Sequence, residues 1–262
     1  MRNRRGSIAV VKSLFAASCG LIMIAGTAAA GPLQAAAATK PAVRPVVIEM
    51  FLSQACKSSP PAAVTLRDLA GRRDVVALAY HVPYWDELPS HKSGAWADPF
   101  AREAFAERQK RYNKRIRRTD MVYTPQAVID GVFDATGSKR DMLDARITEA
   151  QVLDEHARPA PPLLKVARGD KIRVQIDGVG APYDAFAVTF RPQALTEVES
   201  GDNAGAVFDE INVVTAVATL TQGAEGAQSL AFEAPPAGED CAVLVQERGQ
   251  GRIVAARYCS PR

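Results

Sequence analysis

The residues best suited to chemistry form a C-x-x-S sequence, Cys56 to Ser59, between an apolar segment and a proline pair. The apolar segment, Val46–Leu52, has the length and β-branched content of a buried strand. Pro60 and Pro61 fit only the first turn of a helix. A cysteine at such a junction lies beside unpaired N–H groups and the positive end of the helix dipole, which both favour the thiolate. Because the thiolate is the nucleophile that attacks disulfides, this position of Cys56 indicates thiol–disulfide exchange.

The alternative for Cys56 is a buried and inert cysteine, since a free cysteine behaves as a small hydrophobic side chain. Its sequence neighbours are polar: Gln54 precedes it and Lys57 follows it. Lys57 would also place a positive charge close to the sulfur. The sequence therefore predicts a thiol that is exposed to solvent where a helix begins.

Two further cysteines, Cys241 and Cys259, flank a glycine-rich turn near the C-terminus. Each lies nine positions from Gln250, so a hairpin that is symmetric about Gln250 places them opposite each other. Opposed residues of an antiparallel pair are about 4.5–5.5 Å apart at Cα, which is within the range of a disulfide. The bridge would close a loop of about 19 residues and contribute ~3 kcal/mol on the chain-entropy model. The alternative is two free thiols in a shifted register.

The N-terminus has the pattern of an export signal over residues 1–30. A basic stretch that ends at Lys12 precedes an apolar run, Leu14 to Ala25, and small residues at 28–30 offer a cleavage site. The apolar run is too short to favour a stable membrane span. We therefore expect a periplasmic or secreted protein, in which disulfides persist and from which Cys19 is removed with the signal.

The rest of the chain divides into a linker and two predicted domains. Residues 31–45 are rich in Ala and Pro and predict the linker. Residues 46–158 follow the order β-α-β-α-β-β-α, with a hairpin signal at Asp130-Gly131, which is typical of an α/β sheet. After a proline-rich boundary, residues 159–262 contain about seven short β-rich runs, which predict a mainly antiparallel β-sandwich.

Composition excludes little but argues against several partners. The net charge is only +3, and part of it lies in the first twelve residues, so no basic face for nucleic acid is expected.

One metal-binding combination can be assembled on paper, and it consists of Cys56, His81, Asp86, His91 and Asp98. Its spacing matches no known ligand motif, so we expect neither a metal nor another cofactor. We expect His81, at the end of a strand, to be a packing residue.

Five segments of the chain resemble one known family. They are VIEMFLSQACKSSPPAA, DVVALAYHVPYWDELP, WADPFARE, VYTPQAVIDG and GDNAGAVFDEINVV. Together they resemble the uncharacterised secreted thioredoxin-like family known as domain of unknown function 1223, over nearly all of the chain after the export signal. The resemblance implies that residues 46–158 form an α/β thioredoxin-like domain, which the β-sandwich domain follows.

The resemblance also implies roles for four residues. In related thioredoxin-like proteins the loop after the first strand carries C-x-x-C, so Cys56 matches the attacking cysteine and Ser59 the resolving position. Thr124-Pro125 resembles the motif in which the proline follows a cis peptide bond and lies beside the active thiol. There the backbone would bind an extended substrate strand. The alternative is an ordinary proline at the start of a strand.

Two departures from the family pattern limit what the site can do. The family loop resembles SQGCSSCPPAD, whereas this chain has SQACKSSPPAA, and the family segment HVDYWD is HVPYWD here. Without a second thiol no disulfide can form within the loop. Two hypotheses remain: monothiol exchange at Cys56 with envelope protein thiols or disulfides or a low-molecular-weight thiol, or a redox-inactive envelope module that binds a protein partner.

Overall fold

A computed structural model of the protein describes residues 44–86, 94–157 and 160–261. The predicted export signal, most of the linker, His91 and the predicted boundary at 158–159 lie outside these ranges. Within them, no helix is both long enough and apolar enough to cross a membrane.

The described chain contains three α-helices, one short 3₁₀ turn and strands β1 to β11. The helices are α1 (Pro60–Ala70), α2 (Glu103–Ile116) and α3 (Arg140–His156), and the 3₁₀ turn is Pro83–Trp85. The strands are β1 (Val46–Leu52), β2 (Val75–His81), β3 (Gln126–Ile129), β4 (Phe133–Thr136), β5 (Leu163–Arg168), β6 (Lys171–Asp177), β7 (Tyr183–Glu197), β8 (Val207–Ala224), β9 (Gln228–Glu233), β10 (Asp240–Glu247) and β11 (Ile253–Tyr258). The predicted order β-α-β-α-β-β-α of the first half is confirmed.

Strand β1 is the centre of the first half and is buried along its whole length. It runs parallel to β2 and antiparallel to β3, which pairs in turn with β4. Because side chains of a strand alternate between faces, Ile48 and Met50 pack in one core with α1 and α3. Val47 and Phe51 pack in another core with α2. The end of β1 is thereby fixed from both sides, which determines where the following loop begins.

The second half continues the same sheet, which is where the structure differs from the predicted division into domains 46–158 and 159–262. The strand order is β11-β10-β7-β8-β2-β1-β3-β4, with Ala79 of β2 paired to Val213 of β8. Asn212 also donates a side-chain hydrogen bond to the carbonyl of Ala77, at 2.8 Å. Residues 41–262 accordingly form one compact unit. The strand-rich composition of the second half was predicted, but the long β8 pairs with the first half.

A separate three-stranded sheet, in the order β5-β6-β9, covers part of the second half. Ile172 and Ile176 of this small sheet pack against Cys241 and Val243 of β10 in a third core. The alternate residues of β10, such as Leu244, point to the core of α2 instead. Two sheets therefore pack face to face as in a sandwich, but one of them is the eight-stranded sheet that also contains β1 to β4 of the first half.

The predicted bridge between Cys241 and Cys259 is confirmed, with Cα atoms 5.2 Å apart. The register is the one that symmetry about Gln250 predicts, since Ala242 lies opposite Tyr258. The backbone N–H of Cys259 also donates to the carbonyl of Cys241, at 2.7 Å.

We expect the double variant Cys241→Ala/Cys259→Ala to lose about 3 kcal/mol of unfolding free energy, because the bridge restricts the unfolded chain. Urea unfolding measures the loss, and reduction of the wild-type protein should reproduce it. Cys56→Ala is the control for a general effect of cysteine replacement. A loss below about 1 kcal/mol in the double variant would contradict this, because it would mean that the unfolded chain gains little freedom when the bridge is removed.

Candidate functional site

The candidate site begins where β1 ends and consists of two consecutive backbone turns. The N–H of Cys56 donates to the carbonyl of Ser53 at 3.1 Å, and the N–H of Ser59 donates to the carbonyl of Cys56 at 3.0 Å. Helix α1 then begins at Pro60, with Ser59 at its N-cap position. The thiol is thus held at the junction between strand and helix that the sequence predicts.

The sulfur of Cys56 lies next to a cis peptide bond. Its Sγ atom is 3.8 Å from the carbonyl oxygen of Thr124, to which the thiol donates a hydrogen bond. The bond between Thr124 and Pro125 is cis, so both the predicted isomer and its place beside the thiol are confirmed. Pro125 is buried, and its own carbonyl accepts a hydrogen bond from the N–H of Gly137, at 2.9 Å.

The prediction that Cys56 is exposed is wrong, because only 2% of its surface is accessible. Its polar neighbours misled the sequence argument, since Ser53 and Gln54 are themselves buried and satisfied by hydrogen bonds. Lys57 and Ser58, which follow directly, are exposed. The thiol therefore lies just beneath the surface and can be reached only after a local movement of the loop.

The helix also supplies less to the sulfur than the sequence predicts. Pro60 and Pro61 occupy the first turn and have no N–H to donate. The next two N–H groups, of Ala62 and Ala63, both donate to the carbonyl of Ser59, at 2.9 and 3.1 Å. In the described contacts the first turn of α1 therefore offers the sulfur no N–H donor, and the hydrogen bond to Thr124 is one that the protonated thiol makes.

Ser59 occupies the position of a second cysteine but has a structural contact. It is fully buried, and its Oγ atom accepts a hydrogen bond from the N–H of Ser53 at 3.2 Å. In the described contacts the thiol of Cys56 donates its hydrogen bond to the carbonyl of Thr124 and not to Ser59. Ser59 thus stabilises the turn that holds the cysteine.

Gln109 of helix α2 holds the segment that contains the cis bond, and the sequence argument missed this residue. Its side-chain amide donates to the carbonyl of Tyr123 at 2.8 Å and to Oε1 of Gln126 at 2.9 Å, so it holds the chain on both sides of the cis bond. The hydroxyl of Tyr84 donates to Oε1 of Gln109 at 3.1 Å. Burial raises the pKa of Tyr84 far above its ordinary value, and the proximity of Cys56 raises it further. Tyr84 therefore lies neutral near the thiol.

A buried cluster of three ionisable groups lies close to the loop. Nδ1 of His81 is 2.7 Å from Oδ2 of Asp98, and its Nε2 is 3.5 Å from Oε1 of Glu210. Burial by itself lowers the pKa of His81, but Glu210 and Asp98 outweigh it and raise that pKa from 6.5 to about 9. Burial raises the pKa of Glu210. His81 is thus a buried cation at neutral pH and more than a packing residue.

This cluster holds the loop of Cys56 through Gln54. The backbone N–H of Gln54 donates to Oδ2 of Asp98, and its side-chain amide donates to Oε2 of Glu210, each at 2.8 Å. The amide of Asn203 donates to the carbonyls of Gln54 at 2.7 Å and of Cys56 at 3.1 Å. Asp98 lies in the segment WADPFARE, and both Asn203 and Glu210 lie in GDNAGAVFDEINVV. Those segments carried the family resemblance, but nothing in their spacing indicated a contact with the thiol loop.

The structure does not bring the possible metal ligands Cys56, His81, Asp86 and Asp98 together as a metal site in the described ranges. No group of three or more His, Cys, Asp or Glu side chains there has an arrangement that could hold a metal ion. His91, one member of that combination, lies outside them.

Fold and site together define a class of protein: a mixed eight-stranded sheet, flanked by helices and by a small second sheet, with the buried thiol of Cys56 beside a cis proline. The chain belongs to the family described as protein of unknown function (DUF1223), whose model matches residues 47–246. That match spans both halves of the chain, as the continuous sheet does.

Two solved structures resemble the fold. One is a crystal structure of a protein from Agrobacterium tumefaciens, with a TM-score of 0.67 and 24% identity, covering 83% of this chain and 95% of that one. The other is HBP35 of Porphyromonas gingivalis, with a TM-score of 0.54 and 12% identity, covering 82% of this chain and 74% of that one. No curated protein matches the chain significantly. At these identities the two structures support the fold and carry no function.

Proposed function

We propose that this protein is an exported thioredoxin-like protein that carries out monothiol exchange through Cys56. The observation that carries the proposal is the distance of 3.8 Å between the sulfur of Cys56 and the carbonyl oxygen of Thr124, immediately before the cis proline. A thiol beside a cis proline is the arrangement that the resemblance implies for a site that binds an extended substrate. The periplasmic or secreted location is part of the proposal, and determination of the mature N-terminus after cell fractionation tests it.

The arrangement of the first half supports the thioredoxin-like assignment. A central strand, β1, pairs in parallel with β2 and antiparallel with β3, and β4 forms the edge. Helices pack on both faces of these strands. The thiol lies in the loop that follows β1, and the cis proline comes directly before β3. The proposal treats strands β7, β8, β10 and β11 as an extension of this scaffold.

The proposed reaction needs one thiol and two partners. The thiolate of Cys56 attacks one sulfur of a protein disulfide or of a low-molecular-weight disulfide. A bond forms between Cys56 and that sulfur, the partner's own disulfide bond breaks, and its other sulfur leaves as a thiolate. A second external thiol then attacks the mixed disulfide and releases Cys56, because Ser59 cannot. Electrons balance, since each step exchanges one thiolate for another.

The hydrogen bond to Thr124 couples this chemistry to binding. While Cys56 is a thiol, its S–H occupies the carbonyl oxygen of Thr124. A sulfur in a mixed disulfide has no proton to donate, so that carbonyl becomes free to accept a backbone N–H of the partner. The covalent step would therefore open one acceptor for an extended partner strand.

We expect purified mature protein to form a mixed disulfide with glutathione at Cys56 when it is incubated with glutathione disulfide. The reaction should be slow, because the buried sulfur must first be exposed by local opening. Mass spectrometry of the peptide that contains Cys56 measures the product. Cys56→Ala is the negative control, and the bridged pair Cys241 and Cys259 should stay unmodified. When the protein is expressed in cells and free thiols are then blocked to trap adducts, the wild-type protein should be found in mixed disulfides. The variant Cys56→Ala should lack these mixed disulfides.

The second candidate is a redox-inactive module that binds an envelope protein, and the 2% exposure of Cys56 favours it. Under this hypothesis the thiol only fills space in the core and donates a hydrogen bond to the carbonyl of Thr124. Folded protein would then remain unmodified by glutathione disulfide over a period in which the urea-unfolded protein reacts. Cys56→Ala would also retain the same partners in a pull-down, which contradicts the monothiol proposal.

A further inference from the structure

We propose that His81 is a positioning residue that keeps the loop of Cys56 closed, through the two carboxylates that hold Gln54. The inference rests on the proposed function, because it concerns the accessibility of the same thiol. His81 has no described contact with Cys56 itself. Its effect passes through Asp98 and Glu210 to a residue that lies two positions before the cysteine.

The geometry makes the charge of His81 decisive. The side chains of His81, Asp98 and Glu210 are almost completely buried, so neither carboxylate is stabilised by bulk water. Two buried carboxylates without a counter-ion are costly, and removal of one partner from a buried pair leaves that cost uncompensated. Both carboxylates accept hydrogen bonds from Gln54. When they move apart or one of them takes up a proton, the charge-assisted hydrogen bonds from Gln54 are weakened and the loop is held less tightly.

Among the residues that the structure describes, His81 is the cation that pairs with Asp98 and Glu210. Asp86 adds a third negative charge that raises the pKa of His81. Asp209, next to Glu210, is paired at the surface with Arg67 at 2.8 Å. On the remaining side the ring of Phe100 packs edge-on against His81, with centroids 5.5 Å apart. Arg191 in turn lies over the ring of Phe100, at 5.5 Å.

The direction of the pH dependence follows from these contacts. The pKa of His81 is about 9 in the folded protein, compared with 6.5 as its ordinary value. Its contribution to the closed loop is therefore fully present below about pH 6.5 and is lost as the pH rises through about 9. Cys56 should become accessible over the same interval.

The experiment measures the alkylation rate of Cys56 by iodoacetamide in the mature protein between pH 6 and 10. Mass spectrometry follows the peptide that contains Cys56, and each rate is divided by the rate of the same protein in urea, which removes most of the effect of thiol ionisation. We expect this ratio to rise at least about tenfold in the wild-type protein. The pKa of His81 lies more than one unit above its ordinary value, and each unit corresponds to a factor of ten in the equilibrium between the closed and the open loop. In His81→Gln the ratio should be high already at pH 7 and should not change with pH.

Two further variants make the result specific. Glu210→Gln keeps an oxygen that can accept from Gln54, but it removes the strongest attraction that raises the pKa of His81. The rise should therefore move to a pH clearly below 9, which a merely structural role would not produce. His156→Gln, at an exposed histidine in the last turn of α3, should retain the wild-type profile.

A wild-type ratio that does not change between pH 7 and 10 overturns the inference, and so does a closed Cys56 in folded His81→Gln. If His81→Gln does not fold, Glu210→Gln decides alone, because an unmoved midpoint contradicts the role of His81. Alkylation needs no disulfide partner, so the two proposals fail separately. The expected pH profile without any mixed disulfide refutes the exchange function alone, whereas mixed disulfides without the profile refute the role of His81 alone.

Discussion

Replacement of Arg108 by methionine is expected to lower the free energy of unfolding by about 3–5 kcal/mol, because it leaves a buried carboxylate without its partner. Nε of Arg108 lies 2.6 Å from Oε1 of Glu49, and Nη2 lies 3.1 Å from Oε2 of the same carboxylate. Glu49 is fully buried in β1, the central strand of the first half. Burial opposes the charge of Arg108, but Glu49 outweighs it, so the pKa of Arg108 lies above its ordinary value.

The same guanidinium joins parts of the chain that the sequence assigned to different domains. Nη2 of Arg108 donates to the hydroxyl of Tyr112 at 2.9 Å and to Oε1 of Gln246, in β10, at 3.1 Å. Its plane also lies over the ring of Phe186, in β7, at 5.5 Å. A methionine retains much of the apolar contact but none of these hydrogen bonds. The loss should therefore destabilise the first and second halves together, in one cooperative transition.

Urea unfolding of Arg108→Met, followed by far-UV circular dichroism and by tryptophan fluorescence, measures this loss. The control is Lys110→Met, on the same helix, whose exposed partner is Glu107; its unfolding midpoint should equal that of the wild type. The double variant Glu49→Gln/Arg108→Met should be more stable than Arg108→Met, because neither charge of this buried pair remains. A loss below about 1 kcal/mol in the single variant, or two separate transitions, would contradict the account.

What the sequence predicts well is local along the chain. The order of strands and helices up to residue 156 follows from apolar runs and turn residues that are a few positions apart. The register of Cys241 and Cys259 follows from one turn between them. The continuous sheet is different, because it depends on the pairing of Ala79 with Val213, and no local pattern reports which strands become neighbours. A count of strands could therefore predict a β-rich second half but not its union with the first.

The candidate site, too, was predictable from the sequence only where its features are local along the chain. Cys56 and Pro125 were predicted from short motifs, and the structure places them together. The burial of Cys56 was missed, because it depends on partners of Gln54 that are distant in sequence. Asp98 lies 44 positions from Gln54, and Glu210 lies 156 positions from it. Polar residues near a cysteine predict exposure only when water satisfies them, and here the protein does.

The second large effect is expected from Ser59→Cys, which should shorten the lifetime of a mixed disulfide at Cys56 by about 100-fold. Position 59 lies in the same turn as Cys56, since the N–H of Ser59 donates to the carbonyl of Cys56 at 3.0 Å. A thiol held so close acts at an effective concentration of about 1 mM or more, compared with about 10 μM for an external thiol in the assay. The introduced thiol attacks the mixed disulfide, closes a disulfide within the loop and releases the partner as a thiolate.

The substitution also removes a hydrogen bond, so it needs a matched control. Oγ of Ser59 accepts from the N–H of Ser53, and its loss costs about 1 kcal/mol. Ser59→Ala loses the same bond but adds no thiol, so it should accumulate mixed disulfide as the wild-type protein does. Both variants and the wild type are incubated with glutathione disulfide and with reduced glutathione as the external thiol, quenched with acid and compared by mass spectrometry of the intact protein.

The expected result is a loop disulfide in Ser59→Cys, with little glutathione attached, and attached glutathione in the wild type and Ser59→Ala. If Ser59→Cys accumulates as much mixed disulfide as Ser59→Ala, the two positions do not approach each other during the reaction, and the exchange geometry proposed here is wrong. If Ser59→Ala alone stops forming the adduct, the turn of Ser53 and Ser59 presents the sulfur. The thiol of Cys56 would then depend on Ser59 for its position, although Ser59 takes no part in the exchange.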